Sequence, residues 1–144
     1  RVVRTVFDLA ELDLVIEAMR DSVVRDGVFW AWIKGPCSQE VLAVLAEFVL
    51  RTEEIQAAVV AEHGEPALAS SQASPSEGAS AGGIHLSVRS KDKRLPAFDL
   101  VRGALQGLGS AGGHSHAAGG FIPESSFPGE DALRERFFSI ARTI

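Results

Sequence analysis

Residues 109–120 read "GSAGGHSHAAGG". Each glycine raises the entropy cost of folding, so this density around two imidazoles needs a physical reason. Anion binding is one: with no Cβ in the way, successive backbone N–H groups can converge on a phosphate, above all where the run opens onto a helix N-terminus. The competing reason is a tight connection where a helix packs closely on a sheet. The run lacks the Gly-Lys-Ser/Thr ending of a nucleoside-triphosphate loop, and no strand stands directly before it as in a dinucleotide fingerprint.

A second stretch, "GIHLSVRS" at 83–90, alternates cleanly, with Ile84, Leu86 and Val88 on one face and His85, Ser87 and Arg89 on the other. A guanidinium on the polar face of a strand suits a bidentate phosphate contact, and the plainer alternative is a solvated strand-end charge. His85, on the same face, would border any cleft there. His114 and His116 offer two metal ligands where a zinc site takes three or four, with no Cys or carboxylate close by in sequence, so no metal is assigned to them. Lys91, Lys93 and Arg94 read as a polar turn rather than a nucleic-acid groove. Trp30 and Trp32 lie in a run apolar on both faces and read as core rather than as a stacking platform. His63 and Cys37 read as structural.

These residues need a scaffold. Residues 8–25 place Leu9, Leu12, Val15, Ile16, Met19 and Val23 on one helical stripe, with Asp8 as N-cap and Glu11 three positions on. "GVFWAWIKG" at 27–35 predicts a central strand covered on both faces. Ser38 caps a second helix running to about 51, with Val41, Leu45, Phe48 and Val49 inward. Residues 54–63 favour a strand, 64–83 a mobile Ser/Ala/Gly/Pro-rich connection, 96–109 an amphipathic helix carrying Phe98, Val101, Leu105 and Leu108, 120–123 a short strand, and 129–144 a helix with Leu133, Phe137, Ile140 and Ala141 inward. The alternation predicts an α/β fold: a mixed β-sheet of about four to five strands flanked by helices.

At 144 residues, 46% hydrophobic and 23% charged, the chain has the size and composition of one soluble domain. No apolar run reaches the roughly 20 residues of a membrane helix, and the N-terminus has no signal-peptide pattern. The lone Cys37 excludes an internal disulfide and fits a reducing compartment, so a cytoplasmic location is expected. A net charge of −5 argues against broad attraction to nucleic acid while allowing a local basic patch.

The two linked motifs resemble those of the DHHA1 domain, the C-terminal substrate-binding domain of the DHH phosphoesterase superfamily. That domain is marked by a Gly-Gly-x-Gly-His-x-x-Ala-Ala-Gly type signature, preceded by a strand ending in Arg-Ser. The matching residues are "GSAGGHSHAAGG" from Gly109 to Gly120 and "HLSVRS" from His85 to Ser90, with a helix between them. Gly-Ser-Ala-Gly-Gly-His stands where the commonest form has four glycines, which looks like a subgroup. The resemblance is carried by 84–123 and extends over 27–63 by the order of elements. It divides the chain into an N-terminal linker helix, 1–26, and a DHHA1-like substrate-binding domain, 27–144.

The resemblance implies a substrate-binding role for Arg89 and Ser90 toward a phosphate or terminal nucleotide. It likewise implies backbone N–H contacts from Gly112 and Gly113, and a hydrogen bond from His114 to a phosphate oxygen. It implies no cofactor in this chain: the chain has no Asp-His-His or Asp-x-Asp, and a divalent metal such as manganese is expected in an absent upstream DHH domain. The parent protein would hydrolyse phosphate esters of short oligonucleotides or small nucleotides, as an oligoribonuclease, bisphosphate phosphatase or exopolyphosphatase-related enzyme. This fragment alone would then be inactive. The expected partners are a phosphorylated nucleotide or short single-stranded nucleic acid and the DHH domain. A noncatalytic nucleic-acid-binding module is the alternative, and a homodimer formed through exposed Trp or Phe residues is a third reading.

Overall fold

The computed structural model describes residues 8–64 and 82–144. Most of the connection expected at 64–83 lies outside the described residues. The elements run in the order α1 (Leu9–Arg20), β1 (Val23–Arg25), β2 (Val28–Ile33), α2 (Gln39–Val49), β3 (Ala57–Gly64), β4 (Gly83–Ser90), α3 (Ala97–Leu105), β5 (Ser110–Gly113), β6 (Ala117–Pro123) and α4 (Glu130–Thr143). The six strands form one mixed sheet in the order β1-β2-β3-β4-β6-β5. β2 and β3 run parallel, joined through α2, and every other neighbouring pair is antiparallel. The fold is α/β, a mixed sheet flanked by helices, and β1 and β5 bring it to six strands.

Each face of the sheet has its own core. Val28 and Trp30 of β2, Val59 of β3 and Ile84, Leu86 and Val88 of β4 pack with Leu100, Val101 and Leu105 of α3 and Leu133 and Phe137 of α4. On the other face Phe29, Ala31, Ile33, Ala58 and Val60 pack with Val15 and Ala18 of α1 and Val41, Leu42, Leu45, Ala46 and Val49 of α2. β2 is therefore apolar on both faces because both are covered, although β3 and β4 hold the middle of the sheet.

Three expectations are corrected. The first helix ends at Arg20, not 25. Asp26 (φ 53°) and Gly27 (φ 81°) form a turn with positive φ at both positions, the geometry that joins two strands tightly, and it folds Val23–Arg25 back onto β2. Leu9, Leu12 and Ile16 are exposed, because α1 seats through Val15 and Ala18, with Leu14 and Met19 at the margin. Phe48 is 61% exposed, because positions 41, 42, 45, 46 and 49 fill the inward arc of α2. The caps hold as expected: Asp8 and Glu11 form a reciprocal capping box, and the Ser38 hydroxyl accepts from the Val41 N–H at 3.3 Å. Among the described residues no helix is long and apolar enough to cross a membrane.

Candidate functional site: a glycine-floored cleft beside α2

The glycine run is a β-hairpin rather than a loop opening onto a helix. Gly112 pairs with Gly119 and Gly113 with Ala118, and β6 continues against β4 with Gly119 opposite Ser87 and Ala117 opposite Arg89. Residues paired across strands share a face, so His85, Ser87, Arg89, Ala117, Gly119, Phe121, Ser110 and Gly112 all lie on the side opposite α3. On that side α1 covers β2 and α2 lies over β3 and the edge of β4, while β6 and β5 carry small residues apart from Phe121.

The glycines divide by task. A Cβ on Gly120 would stand 2.5 Å from Leu105 Cδ2 and 3.0 Å from Val101 Cγ2, so its missing side chain lets α3 lie against the sheet. Gly113 has φ 132° and presses on Ala118 at the tip of the hairpin, a place an L side chain would strain. Gly112, by contrast, has nothing within 4 Å of where a Cβ would be. Close packing thus explains Gly120, whereas Gly112 floors an open space.

That space is a cleft of about 500 Å³ whose walls include Gln39, Glu40 and Ala43 of α2, Ser87 and Arg89 of β4, and Gly112, Gly113, His114 and Gly119 of the hairpin. The Arg89 side chain is 18% exposed; its Nη1 donates to Ser87 Oγ at 3.0 Å and to the Val88 carbonyl at 3.1 Å, and its Nε donates to Glu47 Oε2 at 3.2 Å. These contacts hold the guanidinium plane, and Nη2 bonds to no described residue. The His114 N–H donates to the Ala117 carbonyl at 2.9 Å, which makes that pair hydrogen-bonded. By the alternation of an antiparallel ladder the Gly112 amide then bonds across to Gly119, and the Gly113 amide faces the open edge. His114 is exposed, and its Nδ1 accepts from the His116 N–H at 3.4 Å, which leaves Nε2 as the nitrogen that can donate.

The hairpin tip is held from below. The Ser115 and His114 carbonyls accept from the Ala97 and Phe98 N–H groups at 2.8 and 3.2 Å, so the first turn of α3 binds the tip. The Ser90 N–H donates to the His116 carbonyl at 3.0 Å. Four of the five sequence-derived residues, Arg89, Gly112, Gly113 and His114, therefore meet around one cleft. Ser90 is buried outside its lining, with its hydroxyl donating to the Asp92 carbonyl and accepting from the Asp92 N–H.

The remaining candidates fall elsewhere. Lys91 Nζ donates to the Leu50 and Thr52 carbonyls at 2.7 and 2.9 Å, tying down the end of α2. Trp30 is buried, and Trp32 stacks on Phe127 beside His63, whose Nε2 lies 2.7 Å from Glu124 Oε1. Burial, with the charges of Glu11 and Glu62, pushes the Cys37 thiol up to about 12. Among the described residues no group of three or more His, Cys, Asp or Glu side chains is placed to hold a metal ion. A larger cavity of about 680 Å³, lined by α3 and the end of α4, includes none of the five. Sequence reading missed the α2 wall, since nothing local links residues 39–47 to the hairpin; Ser87 was legible from its alternation with Arg89.

No family model matches the chain, and no curated protein matches its sequence. Solved structures do share its fold. An exopolyphosphatase-related protein from Bacteroides fragilis matches with a TM-score of 0.63 at 14% identity, over 95% of this chain and 35% of that one. RecJ from Thermus thermophilus, in complex with Mn2+, matches with 0.60 at 19% identity over 93% of this chain and 17% of that one. The C-Ala domain of alanyl-tRNA synthetase from Aquifex aeolicus matches with 0.52 at 18% identity, over 84% and 98%. The chain spans about a third or less of the first two. What these matches define is a shared α/β architecture, a mixed sheet flanked by helices.

Proposed function

We propose that this chain is the substrate-binding DHHA1 portion of a phosphoesterase and grips the terminal phosphoryl group of a short oligonucleotide or small nucleotide. The observation that carries the reading is the convergence of Arg89, His114 and the Gly112–Gly113 backbone on one cleft with an unencumbered floor. Arg89 Nη2 and His114 Nε2 donate to phosphate oxygens above the Gly112–Gly113 backbone, and Ser90 holds the tip that carries His114. Held donors of this kind stabilise charge on a phosphoryl group without reorganising as it develops. Position is this domain's contribution. Metal chemistry belongs, on this reading, to a separate DHH half.

The test is equilibrium binding of a 5′-phosphorylated adenylyl dinucleotide. Arg89→Gln is expected to weaken it by about 1.5–3 kcal/mol, the worth of a charge-assisted hydrogen bond, and removal of the 5′-phosphate by a similar amount. Equal affinity with and without the terminal phosphate overturns the reading. The match to a complete synthetase-appended domain of this size favours a second reading, a noncatalytic nucleic-acid-binding module. It predicts affinity that rises with RNA length and ignores the terminal phosphate.

A further inference from the structure

Beyond Gly112 and Gly119 the cleft continues into a second cavity of about 400 Å³, sharing Gln39, Leu86, Gly112 and Gly119 with the first. Its far end is formed by His85 and Phe121, directly opposite each other across β4 and β6, with ring centroids 4.9 Å apart. The Phe121 ring has a fixed seat: it lies over Gly83, where a Cβ would come within 2.7 Å of its Cζ. The His85 ring is fixed as well, with Nδ1 3.2 Å from Oε1 of the buried Glu62, whose other oxygen accepts from the Cys37 N–H at 3.0 Å. A carboxylate only accepts, so Nδ1 carries a proton, and in the neutral ring Nε2, which bonds to no described residue, is left as an acceptor.

The two cavities differ in chemistry. The first has a guanidinium and an imidazole, with the Glu40 carboxylate in its wall; among the described residues the second is lined by no lysine, arginine or carboxylate and offers the Gln39 amide, the Ser110 hydroxyl and the His85 imidazole around an aromatic ring. Neutral hydrogen-bonding groups beside a ring suit the edge and face of a heterocycle, whereas a second phosphate would find no cation. The Arg89 guanidinium leans onto Ser87, which pairs with Gly119, and Gly119 and Phe121 are two residues apart on β6, about 7 Å at the strand rise, the reach of one sugar-phosphate unit.

We infer that the His85–Phe121 end is a nucleobase subsite, so that the cleft takes a nucleotide whose phosphate sits at Arg89 and whose base stacks at Phe121. The inference rests on Arg89 being the phosphate anchor. It makes the domain selective for nucleotides over ring-less phosphate chains of similar charge.

Tripolyphosphate and the 5′-phosphorylated adenylyl dinucleotide are the two probes, titrated against the full chain by calorimetry and by NMR of the phenylalanine rings. The dinucleotide is expected to bind more tightly, and to shift the Phe121 ring signals upfield where tripolyphosphate does not. Phe121→Leu, which keeps apolar bulk over Gly83, should weaken the dinucleotide roughly ten-fold, in line with a lost base–aromatic stack, and leave tripolyphosphate unchanged. Equal affinity for the two probes, or an unmoved Phe121 ring, overturns the subsite while leaving Arg89 as an anchor for any phosphate. Binding of neither probe by the wild-type chain overturns both readings. The ring shift keeps the test decisive if the variant fails to fold.

Discussion

The Arg89 guanidinium is bridged to Glu47, Nε to Oε2 at 3.2 Å, from the sheet to the rim of α2, and Glu47 is 67% exposed. The pair holds the guanidinium plane, yet the carboxylate occupies a cation that an incoming phosphate also needs. With its carboxylate end in solvent, such a pair contributes about 0–1 kcal/mol to stability, so Glu47 can yield to a ligand at small cost. Glu47→Gln is therefore expected to leave thermal stability almost unchanged and to tighten dinucleotide binding severalfold, most visibly at low salt. Calorimetric titration at two ionic strengths checks this, and weaker binding by the variant would contradict the competition.

The division of labour among the glycines gives opposite expectations for two alanine substitutions. Gly120→Ala drives a methyl against Leu105 and Val101 and should destabilise by about 1–3 kcal/mol, as overpacking does. Gly112→Ala meets nothing within 4 Å and does not sit at positive φ, so it should fold as well as wild type, or better by up to about 1 kcal/mol. Its methyl would instead stand on the cleft floor and reduce phosphate-ligand affinity. Denaturant unfolding of both variants, set beside their binding curves, separates the two roles. A Gly112→Ala protein that binds normally would remove the floor from the site.

What was legible in the sequence was legible for physical reasons. β4 could be read because its two faces meet different surroundings: Ile84, Leu86 and Val88 enter the core against α3, and His85, Ser87 and Arg89 turn to the cleft. The run from Gly109 to Gly120 stood out by composition, but its hairpin form did not, since glycine and serine have little strand propensity of their own and the pairing with β4 imposes the conformation. Asp26-Gly27 carried a hairpin signal, masked because Val23 also fits a helical stripe. The α2 wall was invisible for another reason: Gln39, Glu40 and Glu47 reach the cleft only through the crossover that lays α2 across the sheet.

Lys91 tests whether the basic run after β4 serves structure or binding. Its ammonium donates to the Leu50 and Thr52 carbonyls just past α2, where helix carbonyls lack partners. Lys91→Met should lower stability by about 1 kcal/mol and leave dinucleotide affinity within twofold. A large affinity loss with stability intact would move Lys91 into the binding surface.

Cys37 tests the polar end of the sheet beside the base subsite. Its thiol is half-buried, and burial is the main cause of its raised pKa of about 12, reinforced by the negative charges of Glu11 and Glu62. Because the native fold favours the neutral thiol, thiolate forms more readily in the unfolded chain. Stability is thus fully present below the ordinary thiol range and falls as pH rises from there toward 12. Alkylation follows thiolate, so iodoacetamide should react very slowly at pH 8 with the native chain and quickly in denaturant. Glu62→Gln removes one of the negative charges acting on the thiol and should bring the alkylation midpoint down while leaving the burial contribution in place. A midpoint that Glu62→Gln leaves unmoved would mean that Glu62 does not face Cys37, and that the carboxylate proposed to orient His85 is not held where its bond to the Cys37 amide places it.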